Sequence, residues 1–436
     1  MTTTTGMSRI FSAITEHGIR TIVGSIALII LLVSMLMIPS VKNIPLSFFK
    51  QVQEGSREQG EPEKKKDRTV VICPFSQDTN FIVESAEHLT PSPLDMFEDW
   101  EADTSKPLAA RWLTAGLSGQ DTPGILRAGL RRLRSSRHFL VEEATRLGPE
   151  LLLKQKALDN PERHKLVYAA EPESLKAQQE LLELFVSYLP KRYPDLYTYD
   201  SDLKTITVHT PVFTKKFRLD DWIETRPLEL CERIVQEDLI LMRPAPTDQT
   251  GVASTEQSYF MAAAAVVFSF NELPEKLGKP AEFIHAPVPG FEKHIRKTLN
   301  RTFSNLKPEM PMWRNNWGIA PEGSTLDDPL YGSTTAHDHR SFANVSVEKV
   351  KQKVLKVEYQ TIRRLPRTGY LLFTVKTMAD VVQSLENCPS TAAGCLAASI
   401  RGMSPAMRKY KGIEDDATCQ AVISYLDSIV EGPQGQ

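Results

Sequence analysis

The chain contains few cysteines, five in 436 residues. Only Cys388 and Cys395 are close in sequence, and their spacing fits neither a four-cysteine zinc site nor an iron–sulfur cluster. The sequence therefore predicts neither a disulfide framework nor a metal centre of that kind. Free or buried thiols in a reducing compartment are the expectation.

Several motifs of nucleotide binding and hydrolysis are also absent from the sequence. No Gly-x-Gly-x-x-Gly follows a predicted strand, and no phosphate-binding Gly-Lys-Ser/Thr occurs, so the chain shows no nucleotide site of its own. It contains neither a Gly-x-Ser-x-Gly elbow nor a His-Glu-x-x-His metalloprotease motif. The net charge of −2 argues against nucleic acid as the main partner.

One long apolar run lies near the N-terminus. Residues 21–41 hold no charged residue and are flanked by Arg20 and Lys42. As a helix rising about 1.5 Å per residue, this run spans roughly 30 Å, the thickness of a bilayer core, which predicts a single-pass membrane anchor. A cleaved signal peptide is the alternative, although its apolar region is normally only about 7–15 residues long. Basic residues flank both sides, so the orientation in the membrane stays open. The membrane is expected to be either an endomembrane of the ER type or a mitochondrial membrane.

Composition divides the rest of the chain. Residues 1–20 form a short tail, and residues 42–68 are rich in Glu, Gly, Gln and Lys, as expected of a flexible linker. Residues 69–124 mix short apolar runs with Pro, Asp and Ser and are expected to form a loosely ordered extension. Residues 125–430 have the apolar content of a single globular domain.

Helical and strand-like patterns alternate within that domain. Apolar spacing predicts helices over residues 126–144, 174–189 and 228–242, and further helices over 404–430. Strands are predicted over residues 203–210 and 261–270. The first of these helices carries five arginines, whose face is either solvated or a docking surface for an acidic redox partner. The mixture predicts an α+β fold.

A β-hairpin is the clearest local pattern. In the first strand Tyr359 lies on an apolar face, whereas Glu358 and Gln360 lie on the opposite face. Pro366 and Gly369 suit a tight turn before the apolar return strand. The polar face is either the wet side of an antiparallel sheet or the polar wall of a ligand pocket.

A single histidine lies in an unusually rigid setting. His285 follows Ile284 and precedes a Pro-x-Pro-Gly turn formed by Pro287, Pro289 and Gly290. A neutral imidazole held in this way is either a structural hydrogen bonder or a ligand to a metal or heme iron.

Five motifs in order, over roughly residues 125–385, resemble the heme-dependent oxidative N-demethylase alpha-subunit-like family. They are Leu189-Pro190-Lys191-Arg192-Tyr193-Pro194, Val235-Gln236-Glu237-Asp238-Leu239, Ile284-His285-Ala286-Pro287-Val288-Pro289, Arg314-Asn315-Asn316-Trp317-Gly318-Ile319, and the stretch from Glu358 through Arg363-Arg364-Leu365-Pro366 to Gly369. In the last motif Lys356 and Tyr359 replace two family arginines. Phe268-Ser269-Phe270-Asn271 also departs from the family's Phe-Pro-Ser-x-Trp, which puts the substrate in doubt.

The resemblance implies a fold and an activity. The expected fold is a PAS-like antiparallel sheet with flanking helices that binds heme b. The expected reaction is the oxygen-dependent removal of a methyl group from a small methylated amine, with release of formaldehyde. Heme iron supplies the oxidising chemistry. Because the chain shows no flavin, nicotinamide or iron–sulfur motif, electrons are expected from a separate reductase of the flavin or iron–sulfur type.

The resemblance also implies roles for individual residues. His285 is expected to ligate the heme iron, and Arg314, Arg363 and Arg364 are candidates to pair with the heme propionates. The remaining two candidates are Glu358 and Gln360, expected either to bind the amine or deliver protons, or to form a structural network behind the sheet.

The resemblance implies a fungal heme monooxygenase, and the apolar run of residues 21–41 predicts that it is anchored in a membrane. Two alternatives stay open at this stage. One is a heme or small-molecule sensor that keeps the fold without turnover, and the other is a structural membrane protein with an empty domain.

Overall fold

The computed structural model describes residues 128–133, 136–245, 258–269, 273–324, 326, 345–388, 390–413 and 415–432. All of them belong to Arg68–Gln436, the larger of the two units into which the chain divides. The predicted tail, anchor, linker and extension (residues 1–124) lie outside the described residues and stay predictions. Among the helices that are described, none has the length and apolarity that a bilayer crossing requires.

A seven-stranded antiparallel sheet is the centre of the fold. Its strands lie in the order β1-β8-β9-β10-β6-β7-β2. The strands are β1 Arg131–Arg132, β2 Tyr168–Ala170, β6 Asp238–Pro244, β7 Tyr259–Ala265, β8 Met312–Ala320, β9 Val354–Arg364 and β10 Leu371–Val381. A smaller three-stranded sheet contains β3 Tyr197–Asp200, β4 Thr205–His209 and β5 Thr214–Arg218.

Helices surround both sheets. In chain order they are α1 Ala144–Asp159, α2 Pro161–Val167, α3 Leu175–Arg192, α4 Pro227–Ile234, α5 Leu273–Lys276, α6 Ala281–Ile284, α7 Phe291–His294, α8 Arg296–Asn305, α9 Val347–Lys351, α10 Ser390–Gly402, α11 Pro405–Tyr410 and α12 Asp416–Glu431. Together with the antiparallel sheets they confirm the α+β class.

The predicted hairpin is observed as β9 and β10. The two strands pair antiparallel along their full length, with Thr361 opposite Thr374. Their turn closes with a hydrogen bond from the Leu365 N–H to the Tyr370 carbonyl (2.8 Å). Gly369 has φ +73°, a left-handed conformation that glycine adopts without strain. The alternation of apolar and polar residues therefore specified both the strands and their register.

The sheet has two distinct faces. We call the face that packs on the main hydrophobic core the core face; Trp313, Trp317 and Tyr359 lie on it. We call the opposite face the site face. Part of it is apolar, with Ile240 and Ile362 in a second cluster covered by α5 to α8. The rest of it is polar and is described below.

Several predicted elements are confirmed with different ends. The helix predicted over residues 174–189 is α3, which continues through Pro190 to Arg192. The strands predicted over 203–210 and 261–270 are β4 and β7. The predicted C-terminal helices are α11 and α12.

The predicted arginine-rich helix over residues 126–144 is wrong. Arg131 and Arg132 pair with β8 as β1, and a short 3-10 turn follows at Ser136–His138. Phe139 and Leu140 then enter the core and are fully buried. Pairing with β8 and burial of this apolar run override the local helical pattern.

The helix predicted over residues 228–242 is only half correct. α4 ends at Ile234, and β6 begins at Asp238. β6 lies between β10 and β7, and Leu239 and Leu241 are completely buried on one side while Ile240 is buried on the other. A strand buried on both faces loses the alternation that distinguishes it from a buried helix.

Candidate functional site

His285 lies at the C-terminal end of α6, where the chain turns towards α7. Its Nδ1 lies 2.7 Å from the carbonyl oxygen of Ala281. Its ring stacks on Phe291 with centroids 5.2 Å apart and an interplanar angle of 12°. Gly290 makes the turn between the two helices with φ +80°. One hydrogen bond and one stacked ring thus fix both the position and the rotation of the imidazole.

The contact with Ala281 also determines the tautomer of His285. A carbonyl oxygen only accepts hydrogen bonds, so Nδ1 carries the proton and donates it. The lone pair is then on Nε2, which forms no hydrogen bond within the described part of the chain. Burial lowers the pKa of His285, and the nearby cations Arg314 and Lys276 act in the same direction. The ring is therefore neutral at pH 7, the form that ligates a metal.

Side chains from β8 and β9 form a connected polar network on the site face. The register places Arg314 opposite Gln360 and Asn316 opposite Glu358. Arg314 Nη1 donates to Gln360 Oε1 (3.0 Å), and Gln360 Nε2 donates to Glu358 Oε2 (2.8 Å). Asn316 Nδ2 donates to the same carboxylate oxygen at 3.0 Å. The sheet register alone thus brings the predicted residues Arg314, Glu358 and Gln360 into contact.

Glu358 is an ionised carboxylate at the centre of this network. Its Oε1 lies 2.9 Å from Lys356 Nζ. Burial by itself would raise the pKa of Glu358, but Lys356, the Asn316 hydrogen bond and Lys411 together hold that pKa below its usual value. The carboxylate therefore carries its charge well below neutral pH.

Arg314 is not fully satisfied by the network. Its Nε is buried and has no hydrogen-bond partner. Its only hydrogen bond among the described residues goes to the neutral amide of Gln360. Burial lowers the pKa of Arg314, although guanidinium stays protonated in proteins. A partly buried guanidinium with unused donors suits an anionic group that the described residues do not supply.

Lys411 joins the network from the C-terminal helices. Its Nζ donates to Asn316 Oδ1 and to the Trp317 carbonyl, both at 2.6 Å. Burial lowers the pKa of Lys411 to about 7, with Arg314 acting in the same direction. The Ile319 N–H donates to the Lys411 carbonyl at 2.8 Å, which holds this segment along the edge of β8.

Gly412 allows the close approach of that segment to β8. A Cβ atom at this position would lie 1.9 Å from the carbonyl oxygen of Ile319, and φ is +83°. Only glycine fits both the contact and the backbone conformation. The position of Lys411 therefore depends on Gly412, the next residue in the chain.

Arg363 and Arg364 lie apart from the polar network. Arg363 is opposite Leu372 on the core face and is completely buried, with its guanidinium 5.8 Å from the centre of the Phe139 ring. Arg364 is on the site face, but it donates to the carbonyls of Phe303, Leu306 and Gly369 and to the Tyr259 hydroxyl. These bonds join α8 to the hairpin turn. Of the three arginines predicted to contact propionates, Arg314 has the geometry that favours that role.

Sequence reasoning missed two members of the network. Asn316 is two residues after Arg314 on a strand, so the period of two could have identified it as a neighbour on the same face. Lys411 has no comparable signal, because its contact with Asn316 joins residues 95 positions apart.

A separate cleft of about 500 Å³ lies elsewhere on the molecule. Residues of α1, β5 and α4 line it, together with Trp222. It contains none of the residues of the polar network. The candidate site is therefore the site face near His285 and not this cleft.

Comparison with known families gives one match. The model of a family described as "Haem-dependent oxidative N-demethylase, alpha subunit-like" matches residues 143–418. This range includes α1 to α11 and every residue of the site described above. No match was found among curated proteins.

Proposed function

Because the chain belongs to the Haem-dependent oxidative N-demethylase, alpha subunit-like family, we propose that it removes a methyl group oxidatively from a small methylated amine and releases formaldehyde. The observation that carries the proposal is the state of His285, whose Nδ1–H is bound to Ala281 while Nε2 is left with a lone pair. This arrangement suits a ligand to iron.

The residues present fit heme b on the site face. His285 would hold the iron, and Arg314, with its unpartnered Nε, would pair with a propionate. When bound and reduced, heme supplies the oxygen chemistry of the reaction. We propose that the antiparallel sheet with its helical cover is a PAS-like heme domain.

Glu358 and Gln360 are the proposed substrate residues. Glu358 stays ionised, so it attracts the ammonium form of an amine. Gln360 donates to Glu358 and accepts from Arg314, which orients both neighbours. In this proposal the carboxylate accepts a hydrogen bond from the amine and orients its methyl group. A separate reductase of the flavin or iron–sulfur type supplies the electrons.

The location of the protein is part of the proposal. We propose that residues 21–41 anchor it in an ER-type or mitochondrial membrane. This rests on the uncharged apolar run in the sequence and on its length, which matches the bilayer core.

Heme binding is tested first. The full chain is mixed with hemin, and the Soret band is recorded for the wild type, for His285→Ala and for His294→Ala. His294 is exposed on α7 and serves as the matched control. We expect the wild type and His294→Ala to give the same ligated spectrum, and His285→Ala to lose it. An unchanged spectrum in His285→Ala would refute the ligand assignment.

Turnover is measured separately. The heme-loaded chain receives oxygen, a generic ferredoxin-type reductase and dimethylamine, and formaldehyde is quantified. Release that depends on heme and on His285 supports the enzyme. Bound heme without formaldehyde from any methylated amine would instead indicate a heme sensor.

A further inference from the structure

Two cations on the site face have only neutral partners. Arg314 bonds to the Gln360 amide, and its Nε has no partner. Lys411 bonds to the Asn316 amide and to the Trp317 carbonyl. Neither forms a salt bridge within the described residues. Charged groups held partly out of water favour a counter-charge, which neither cation has as a direct partner among the described residues.

The nearby carboxylate of Glu358 does not supply the counter-charge for these two cations. Glu358 is already paired with Lys356 and accepts hydrogen bonds from Asn316 and Gln360. Its single negative charge faces the cations of Arg314, Lys356 and protonated Lys411. The face therefore carries an excess of positive charge whenever Lys411 is protonated.

Lys411 is the group that can adjust its charge. An arginine keeps its proton, whereas a lysine amine releases one when it is removed from water. Burial, Arg314 and Lys356 lower the pKa of Lys411 to about 7, and Glu358 opposes them. The other neighbours of the ammonium group are the rings of Trp317 at 5.3 Å and Tyr410 at 6.0 Å.

Arg314 and Lys411 act on the same part of the site face. Arg314 and Asn316 are next-but-one neighbours on β8, so their side chains lie on the same side of the sheet. Lys411 Nζ donates to Asn316 Oδ1, and the charge of Arg314 lowers the pKa of Lys411. A carboxylate bound beside both cations would form charge-assisted hydrogen bonds.

We propose that Lys411 is a further binding residue of this site, which holds a carboxylate together with Arg314 and takes up one proton from solvent as the carboxylate binds. The inference rests on the proposed function only for the source of the carboxylate. That source is either a heme propionate or the acid group of an amino-acid-like methylated amine. In both cases the Lys411 amine becomes an ammonium ion, and the site gains one positive and one negative charge.

Proton uptake is measured by calorimetry on the full chain in two buffers of different ionisation enthalpy. At about pH 8 Lys411 is mostly neutral, and at about pH 6 it already carries its proton. Hemin is compared with hemin dimethyl ester, which has no free propionate. N-methylglycine is compared with dimethylamine, which lacks the carboxylate, on the heme-loaded and the heme-free chain. We expect the carboxylate-bearing member of one pair, either hemin or N-methylglycine, to bind with uptake of close to one proton by the protein at the higher pH and almost none at the lower pH.

Three variants assign the proton to Lys411. Lys411→Met should abolish the uptake and weaken binding of the carboxylate ligand by about 10- to 100-fold, whereas Lys411→Arg should bind without any uptake. Lys409→Met changes an exposed lysine of α11 and should behave as the wild type.

The outcomes separate the inference from the proposed function. Uptake with hemin but not with its ester identifies the propionate, and uptake with N-methylglycine but not with dimethylamine identifies the substrate acid. Equal uptake in the wild type and Lys411→Met, or binding without uptake in every arm, would overturn the inference. The Soret band and formaldehyde release report on the proposed function independently. If hemin fails to bind, N-methylglycine on the heme-free chain still tests Lys411.

Discussion

At the residue scale, the imidazole of His285 already has the tautomer and the orientation that its proposed role as an iron ligand requires. The Ala281 carbonyl selects its tautomer, and the Phe291 ring fixes its rotation. Burial keeps it neutral by lowering its pKa. An imidazole held in this way does not have to lose a proton or rotational freedom when it binds iron, which favours a high affinity for heme.

This state of His285 predicts how heme affinity depends on pH. A proton on Nε2 competes with iron, so affinity falls only when pH drops through the pKa of the folded protein. That pKa is below the ordinary value of 6.5. Heme affinity should therefore stay constant as pH falls to 6.5, and it should fall by about tenfold per pH unit only below the folded pKa. Equilibrium hemin titrations in the Lys411→Arg background isolate the effect, since that variant keeps its charge throughout.

The opposite result would be informative as well. If affinity began to fall well above the ordinary histidine pKa, the imidazole would not be in the neutral, partly buried state described above. His294→Ala provides the control, because it removes an exposed histidine from the same segment.

At the element scale, the segment after α11 is held against β8 by a glycine. Both Gly412 and Gly369 have positive φ, but only Gly412 would place a Cβ against backbone, 1.9 Å from the Ile319 oxygen. Gly369→Ala should therefore cost only the left-handed strain, about 1–2 kcal/mol of the free energy of unfolding. Gly412→Ala should cost a further ~1–3 kcal/mol, because backbone must move.

Urea unfolding of the two variants beside the wild type measures that difference. Gly412→Ala should also reduce the proton uptake assigned to Lys411, because the neighbouring lysine moves with the segment. Equal losses of stability in the two variants would mean that the segment does not lie against β8 as described.

Local patterns predicted some elements and missed others for a physical reason. The β9–β10 hairpin was predictable, because polar residues such as Glu358 and Gln360 alternate along β9 with apolar residues of the core face. α3 was predictable, because its apolar residues recur at helical spacing. β6 was not, because both of its faces are buried. The arginine-rich segment at β1 was not either, since its pairing with β8 joins residues far apart in sequence.

The candidate site divides in the same way. The period of two along β9 placed Glu358 and Gln360 together, and the motif around Arg314 supplied their neighbour. The motif around His285 identified the residue but not its tautomer, which depends on a helix end. Lys411 reaches the network through tertiary packing alone, so no local pattern indicates it.

At the scale of the whole molecule, the interior next to the core face contains acids as well as apolar side chains. Glu142 is buried beside Glu237, and both lie near the Lys376 ammonium group. Burial raises the pKa of Glu142 well above its ordinary value, the neighbouring Glu237 raises it further, and Lys376 only partly opposes them. Folding therefore favours the protonated acid at this position.

The sign of this shift determines how stability depends on pH. Since the folded pKa of Glu142 is higher than the unfolded one, its contribution to the free energy of unfolding is fully present below the unfolded pKa and is lost as pH rises through the folded pKa.

Glu142→Gln resembles the protonated acid at every pH. The variant should match the wild type near pH 4 and be more stable by about 1 kcal/mol or more near pH 8. Urea unfolding at both pH values measures this, with exposed Glu309→Gln as the control. A variant that is less stable than the wild type at the higher pH would show that the carboxylate is charged in the folded protein, so that Lys376 outweighs both burial and Glu237.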